Sequence, residues 1–294
     1  MMKLSATTHL WLAARSMLLE RGDDLFRRWE RACRSFDLDD IHDLRVSSRR
    51  VREALALFAP CFPKKSLSRV SSQIKRLTNM LGVLRNTDEA MLFFTSVTPA
   101  PLSGMDGGLG RLFEELRKER DKERKSLKIG MRKLDPGSLK TQFSETCNRP
   151  LVFSGTKVDP FVPIRSFLVD AVTGHEAAVN ELLPRAVVEE NVGDQHRLRI
   201  VVKRFRYRVE LAAPLASAGF SELQSVFKGY QDLLGRLHDL DVFGDLVRNR
   251  LADIDTGPLL ALIAGQRHER FNEFERLLAS DPLAELGGRV RGLL

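Results

Sequence analysis

The sequence predicts an all-α protein, and three observations carry that prediction. Apolar residues recur at spacings of three and four along segments 5–36, 41–58, 66–84, 111–133, 161–189, 195–212, 220–237 and 259–279, the period of a helix with one buried face. These segments are rich in Leu, Ala, Arg and Glu, which favour helix, and sustained period-two alternation, the mark of a strand, is missing. Chain breakers punctuate the pattern at Pro60 and Pro63, Pro99 and Pro101, the run from Gly104 to Gly110, Pro136-Gly137, Pro214 and Gly257-Pro258.

Composition narrows the class further. The 294 residues are 43% hydrophobic and 29% charged, enough apolar side chains for a sizeable core and too many for wholesale disorder. The length suits two ordinary domains or one large one. No apolar run approaches the roughly 20 residues of a membrane span. The first apolar stretch, Leu10 to Ala14, is interrupted by Arg15 and then Glu20-Arg21, so a secretory signal is not expected. Cys33, Cys61 and Cys147 are odd in number and unpaired in spacing, which argues against a disulfide scaffold or zinc finger and for a reducing cytoplasm. A formal charge of +8 calls for an acidic partner without naming it.

Along the chain, segment 41–58 opens a repeat. Residues 41–60 align without gaps on residues 195–214 at an offset of 154, with eight of twenty positions identical: His42/His196, Leu44/Leu198, Arg45/Arg199, Arg50/Arg204, Arg52/Arg206, Leu57/Leu211, Ala59/Ala213 and Pro60/Pro214. Arg49/Lys203 is conservative. Residues 72–88 then align on 225–241 at an offset of 153, with six of seventeen identical: Ser72/Ser225, Lys75/Lys228, Leu81/Leu234, Gly82/Gly235, Leu84/Leu237 and Asp88/Asp241. Two blocks in the same order imply duplicated helical halves, 1–147 and 161–294. Residues 148–160 read as the linker, because the stretch from Asn148 to Pro163 holds three prolines, Gly155 and little helical periodicity. Between the second block and that linker, segment 111–133 carries ten Lys/Arg against five Asp/Glu, which suits a solvated helix braced by charge pairs or a charged lip on a site.

The repeated residues define a chemistry. At about 100° per residue, His42, Arg45, Arg49 and Arg52 fall within an arc of roughly 80°. His196, Arg199, Lys203 and Arg206 do the same, with Tyr207 beside them, and Arg50 and Arg204 lie to the side. Leu44, Val51, Leu55 and Phe58 form a neighbouring apolar stripe, matched by Leu198, Phe205 and Val209. Residues 41–58 carry four basic and two acidic groups, and residues 195–212 six and one, nearly the whole net charge of the chain. A polyanion would relieve the repulsion along such a row, since guanidinium forks bind phosphate oxygens in pairs. The histidines suit either a core or capping role or a phosphate contact whose charge varies with pH. In the second block, Gly82 and Gly235 allow close helix packing or a bend. Asp88 and Asp241 either hold basic side chains in register or cap the next helix.

These residues resemble the CHAD family, the conserved histidine α-helical domain, whose two motifs both occur twice here and span nearly the whole chain. The resemblance implies two bundles of about four helices each, related by a pseudo-twofold, with a basic central groove or pore. It also implies inorganic polyphosphate as ligand and association with polyphosphate granules. Carried over, the ligand set is His42, Arg45, Arg49, Arg50, Arg52 and Lys75 in the first half, and His196, Arg199, Lys203, Arg204, Arg206 and Lys228 in the second. Arg85, Tyr207 and His238 join it. The chain departs from the family pattern at Asn86, which replaces the motif's first aspartate, and at His238, which replaces its arginine.

The reading is therefore a non-enzymatic binder of polyphosphate, with phosphate or sulfate able to occupy the same cations and no cofactor, metal or membrane partner. Two rival readings have less support. A metal-dependent phosphohydrolase could use the dipeptides His42-Asp43 and His238-Asp239, but the repeats preserve neither, since Asp43 matches Arg197 and Asp239 matches Asn86. Nucleic-acid binding would want aromatic rings among the cations, and the chain has only two Trp and two Tyr.

Overall fold

The computed structural model describes residues 4–97, 106–152 and 158–294, so the breakers Pro99, Pro101 and Gly104 and part of the expected linker lie outside the described residues. The described residues form α1 (Leu10–Ser35), α2 (Leu38–Leu57), α3 (Lys64–Val97), α4 (Asp106–Lys133), α5 (Pro136–Cys147), α6 (Ile164–Ala186), α7 (Val192–Ala212), α8 (Phe220–Arg250), α9 (Gly257–Ser280) and α10 (Leu286–Leu293), with no strand among them. None of these helices is long and apolar enough to cross a membrane.

The duplication is visible in the backbone. Both α2 and α7 end in a short 3-10 turn with proline in its first positions, Ala59–Cys61 and Ala213–Leu215. Other breakers act differently from the sequence reading. Pro136 and Pro258 start helices, because a first-turn proline has no amide the helix needs and its fixed φ suits the entry. Asp135 caps the first of these, accepting from the Ser138 amide at 3.2 Å. The residues from Gly107 to Gly110 lie inside α4 rather than in a loop. Gly108 is buried there, and a Cβ on it would overlap the Ile254 side chain.

The chain divides into two compact units that are not the sequential halves. Unit 1 comprises residues 1–89 and 118–168, and unit 2 comprises 90–117 and 169–294. Helices α3, α4 and α6 therefore each contribute residues to both units. The described part of the expected linker is fastened to unit 1. The Leu151 amide donates to the Cys61 carbonyl at 2.8 Å, and the Trp11 amide to that of Pro160 at 3.1 Å.

Unit 1 is built on α1, which packs along α2 and α5. Leu10, Met17, Leu25 and Trp29 of α1 are buried, as are Leu44, Val51, Leu55 and Phe58, the stripe that the periodicity assigned to the core. Gly22 allows the close approach of α5, since a Cβ there would overlap the Phe143 ring. Phe143 is itself buried and packs edge-on against Phe26, 5.9 Å between centroids, so it has little room to retreat. Gly22→Ala is expected to destabilise unit 1 by about 1–3 kcal/mol, although alanine is the better helix former. An unchanged urea unfolding midpoint would show that α5 shifts freely.

Unit 2 packs both α7 and α9 against α8. Leu198, Phe205 and Val209 are buried, as the repeat requires. A second apolar cluster joins Phe94, Leu109, Leu112 and Leu116 to Phe243, Val247, Leu259 and Ile263, which is why residues 90–117 belong with the C-terminal helices. Hydrophobic burial decides this division, and it follows contacts in space rather than chain order.

Candidate functional site

In unit 1, α2 presents the first cation row. Asp37 caps the helix, accepting from the Asp40 amide at 2.8 Å, and the buried Asp40 is held by Arg31 Nε at 2.5 Å. His42 is exposed, and Arg45, Arg49, Arg50 and Arg52 are half-buried. The Nε atoms of Arg45 and Arg49 are enclosed, so their stems lie against the unit. From α3, Arg85 Nη1 reaches His42 Nδ1 at 3.3 Å and also pairs with Glu89. Lys75 is exposed on α3, almost three turns earlier. Burial, then the positive charges of Arg85, Arg45 and Arg49, holds the His42 imidazole below its usual pKa, with Asp43 opposing.

Unit 2 repeats the arrangement on α7 and α8. His196, Arg199 and Lys203 are half-buried along α7, and Lys228 is exposed on α8. His238 Nδ1 lies 3.1 Å from His196 Nδ1, with ring centroids 4.4 Å apart. Burial, then Arg199 and Lys203, lowers the pKa of His196. Burial, then Arg199, His196 and Lys203, lowers that of His238 to about 4. In both units the imidazoles face more positive charge than negative, because each lies beside a row of cations.

Three expected ligand residues are placed differently from the rest. Tyr207 is buried, at 4% exposure, and its ring lies 5.8 Å from the Arg206 guanidinium, so it joins the packed face of α7 and not the row. Arg206 braces α7 against α8, donating to Gln231 at 3.0 Å and pairing with Glu210 at 2.8 Å. Arg204 is exposed, and its charge together with that of Arg208 acts on His175 of α6, away from the His196 pair.

The second block resolves the alternatives left by sequence. Asp88 accepts from Arg120 of α4 at 2.5 Å, and Asp241 from Arg267 of α9 at 2.6 Å, so both aspartates hold basic side chains and neither caps a helix. Arg267 further donates to Gln195 Oε1 at 2.6 Å and to the Glu189 carbonyl at 3.2 Å, tying α8, α9 and the start of α7 together. Neither Arg120 nor Arg267 was identified from sequence. They lie 32 and 26 residues after their aspartates, and that unequal spacing hides the match from an ungapped search. Gly82 and Gly235 do not serve close packing, and neither interrupts its helix. Each lies inside an unbroken helix with open space where a Cβ would stand, one turn before Arg85 and His238.

The family model of the CHAD domain matches residues 16–248. The chain belongs to the CHAD family. Two solved structures share the fold of this CHAD domain. One is a CHAD domain from the plant Ricinus communis, 22% identical, with a TM-score of 0.63 and coverage of 100% of this chain and 95% of that one. The other is PptA from Streptomyces chartreusis, 14% identical, with a TM-score of 0.62 and coverage of 94% and 99%. No curated protein matches the chain.

Proposed function

We propose that this CHAD domain binds inorganic polyphosphate through its two cation rows without hydrolysing it, in the cytoplasm and in association with polyphosphate granules. The observation that carries the reading is the repetition of one constellation: a histidine heading a helical row of cations, met from the next helix by Arg85 in unit 1 and by His238 in unit 2. A repeated row suits a ligand whose negative charge repeats at regular spacing. The non-catalytic half of the reading is supported by the carboxylates. Asp43 is paired with Arg28, Asp88 and Asp241 are engaged by arginines, and among the described residues no three His, Cys, Asp or Glu side chains gather as a metal site. The burial of Tyr207 removes the ring best placed to stack on a nucleobase, which favours a ligand without bases.

A filter-binding competition at fixed salt tests the reading. Long-chain polyphosphate is expected to displace labelled polyphosphate at far lower concentration than DNA or RNA of equal charge, and affinity should fall steeply with salt. Preferential displacement by nucleic acid would overturn it. Release of orthophosphate with magnesium or manganese, abolished by His42→Ala or His238→Ala, would overturn the non-catalytic half.

A further inference from the structure

Arg85 and His238 occupy the same position of the duplicated second block, and each meets the histidine that heads its own row. One unit thus carries a permanent guanidinium where the other carries an imidazole. Resting on the polyphosphate reading, we infer that the row of unit 2 binds phosphate groups with uptake of at most one proton by the His196–His238 pair, whereas the row of unit 1 binds them with its charge already in place.

The hydrogen inventory of the pair sets the number. Two Nδ1 atoms 3.1 Å apart form a hydrogen bond only if one carries hydrogen and the other a lone pair. The donating ring then has a bare Nε2, and the accepting ring is protonated at Nε2. The bare Nε2 takes one proton from solvent, and the resulting imidazolium still donates through its Nδ1–H. A second proton would have to sit on the accepting Nδ1, setting two N–H groups face to face and breaking the bond. Uptake therefore stops at one. In unit 1 the guanidinium can only donate, so the lone pair of neutral His42 at Nδ1 receives Arg85. Protonating that atom would lose the hydrogen bond and set two cations against each other.

The charges facing the pair come from three helices. Arg199 and Lys203 on α7 oppose the imidazolium. Asp241 on α8 favours it, but its carboxylate is held by Arg267 of α9, which also faces Glu189 at 3.7 Å. Glu189 in turn accepts from His268. With burial added, the free pair stays neutral near neutral pH. Phosphate oxygens on Arg199 and Lys203 offset the positive charge that opposes the imidazolium, so anion binding and protonation favour each other. Affinity therefore rises as pH falls, across the window between the titration of the free pair and that of the bound pair.

Calorimetric titration with long-chain polyphosphate in two buffers of different ionisation enthalpy reads the protons taken up per protein bound, since the interior phosphates of the chain stay ionised. The wild-type protein is expected to take up a fraction of a proton near neutral pH that grows as the pH is lowered towards about 5 and never exceeds one, and its affinity to rise by no more than about tenfold per pH unit on acidification. His238→Arg, which installs the other repeat's residue, should still bind but with little uptake and a flattened pH response. His196→Gln, with its unfolding midpoint checked, should lose the uptake in the same way. Equal uptake in the wild type and both variants would overturn the inference while the polyphosphate reading stood. No binding by the wild type would overturn both.

Discussion

Arg45→Glu combined with Arg49→Glu is expected to weaken long-chain polyphosphate binding by a hundredfold or more, and Arg199→Glu with Lys203→Glu to do likewise. Each hydrogen bond to a charged group contributes about 1.5–3 kcal/mol, so removing two of them accounts for at least two orders of magnitude before repulsion is added. The slope of log affinity against log salt should become shallower by about two, one for each phosphate left without its cation. Both rows belong to one chain, so a polymer held by one meets the other at high effective concentration. Losing either row should therefore affect long chains far more than short ones. Equal losses at both lengths would mean two independent sites, and no loss from one pair would remove that row from the ligand surface. The enclosed Nε atoms of Arg45 and Arg49 mean that their stems also pack, so circular dichroism must show the helices intact.

The largest stability effect is expected at Arg267. Its side chain is only 14% exposed and satisfies Asp241, the buried Gln195 and the Glu189 carbonyl together. Arg267→Ala strands those groups in unit 2 and should destabilise the protein by about 3–5 kcal/mol. Arg120→Ala, which loses one more exposed pair with Asp88, should cost about 1 kcal/mol. The Arg267 effect should also depend on pH. Burial pushes the Asp241 carboxyl up even while Arg267 pulls it down, so without Arg267 it rises further. A carboxyl with a raised folded pKa binds protons more readily folded than unfolded, so the variant recovers stability as pH falls through that raised value. Asp241→Asn in the Arg267→Ala background should rescue part of the loss at neutral pH. Urea midpoints near pH 7 and pH 5 check this, and a loss independent of pH would mean that Gln195 and the Glu189 carbonyl, not Asp241, carry the cost.

Much of the molecule follows from local pattern. Helical periodicity marked the eight long helical segments, and the duplication placed His42 and His196 at the head of matched rows, because each row lies on one face of one helix. Spacing alone determines such a face. It is also why the stripe of Leu44, Val51, Leu55 and Phe58 was legible as core before any partner was known. The helix Pro136–Cys147 was missed because Pro136-Gly137 reads as a break, and only the entry geometry with the Asp135 cap shows it to be a start.

What the tertiary structure decided concerns residues whose partners lie far along the chain. Residues 90–117 join unit 2 because Phe94, Leu109 and Leu112 find their apolar partners on α8 and α9. Arg120 and Arg267 become partners of the repeated aspartates, and Tyr207 and Arg206 leave the ligand row for packing and bracing. The meeting of His196 with His238 depends on how α7 lies against α8. The sequence by itself determined which cations share a helix face. Only packing determined which side chains meet across helices, because contacts between helices depend on long-range burial that helical spacing does not encode.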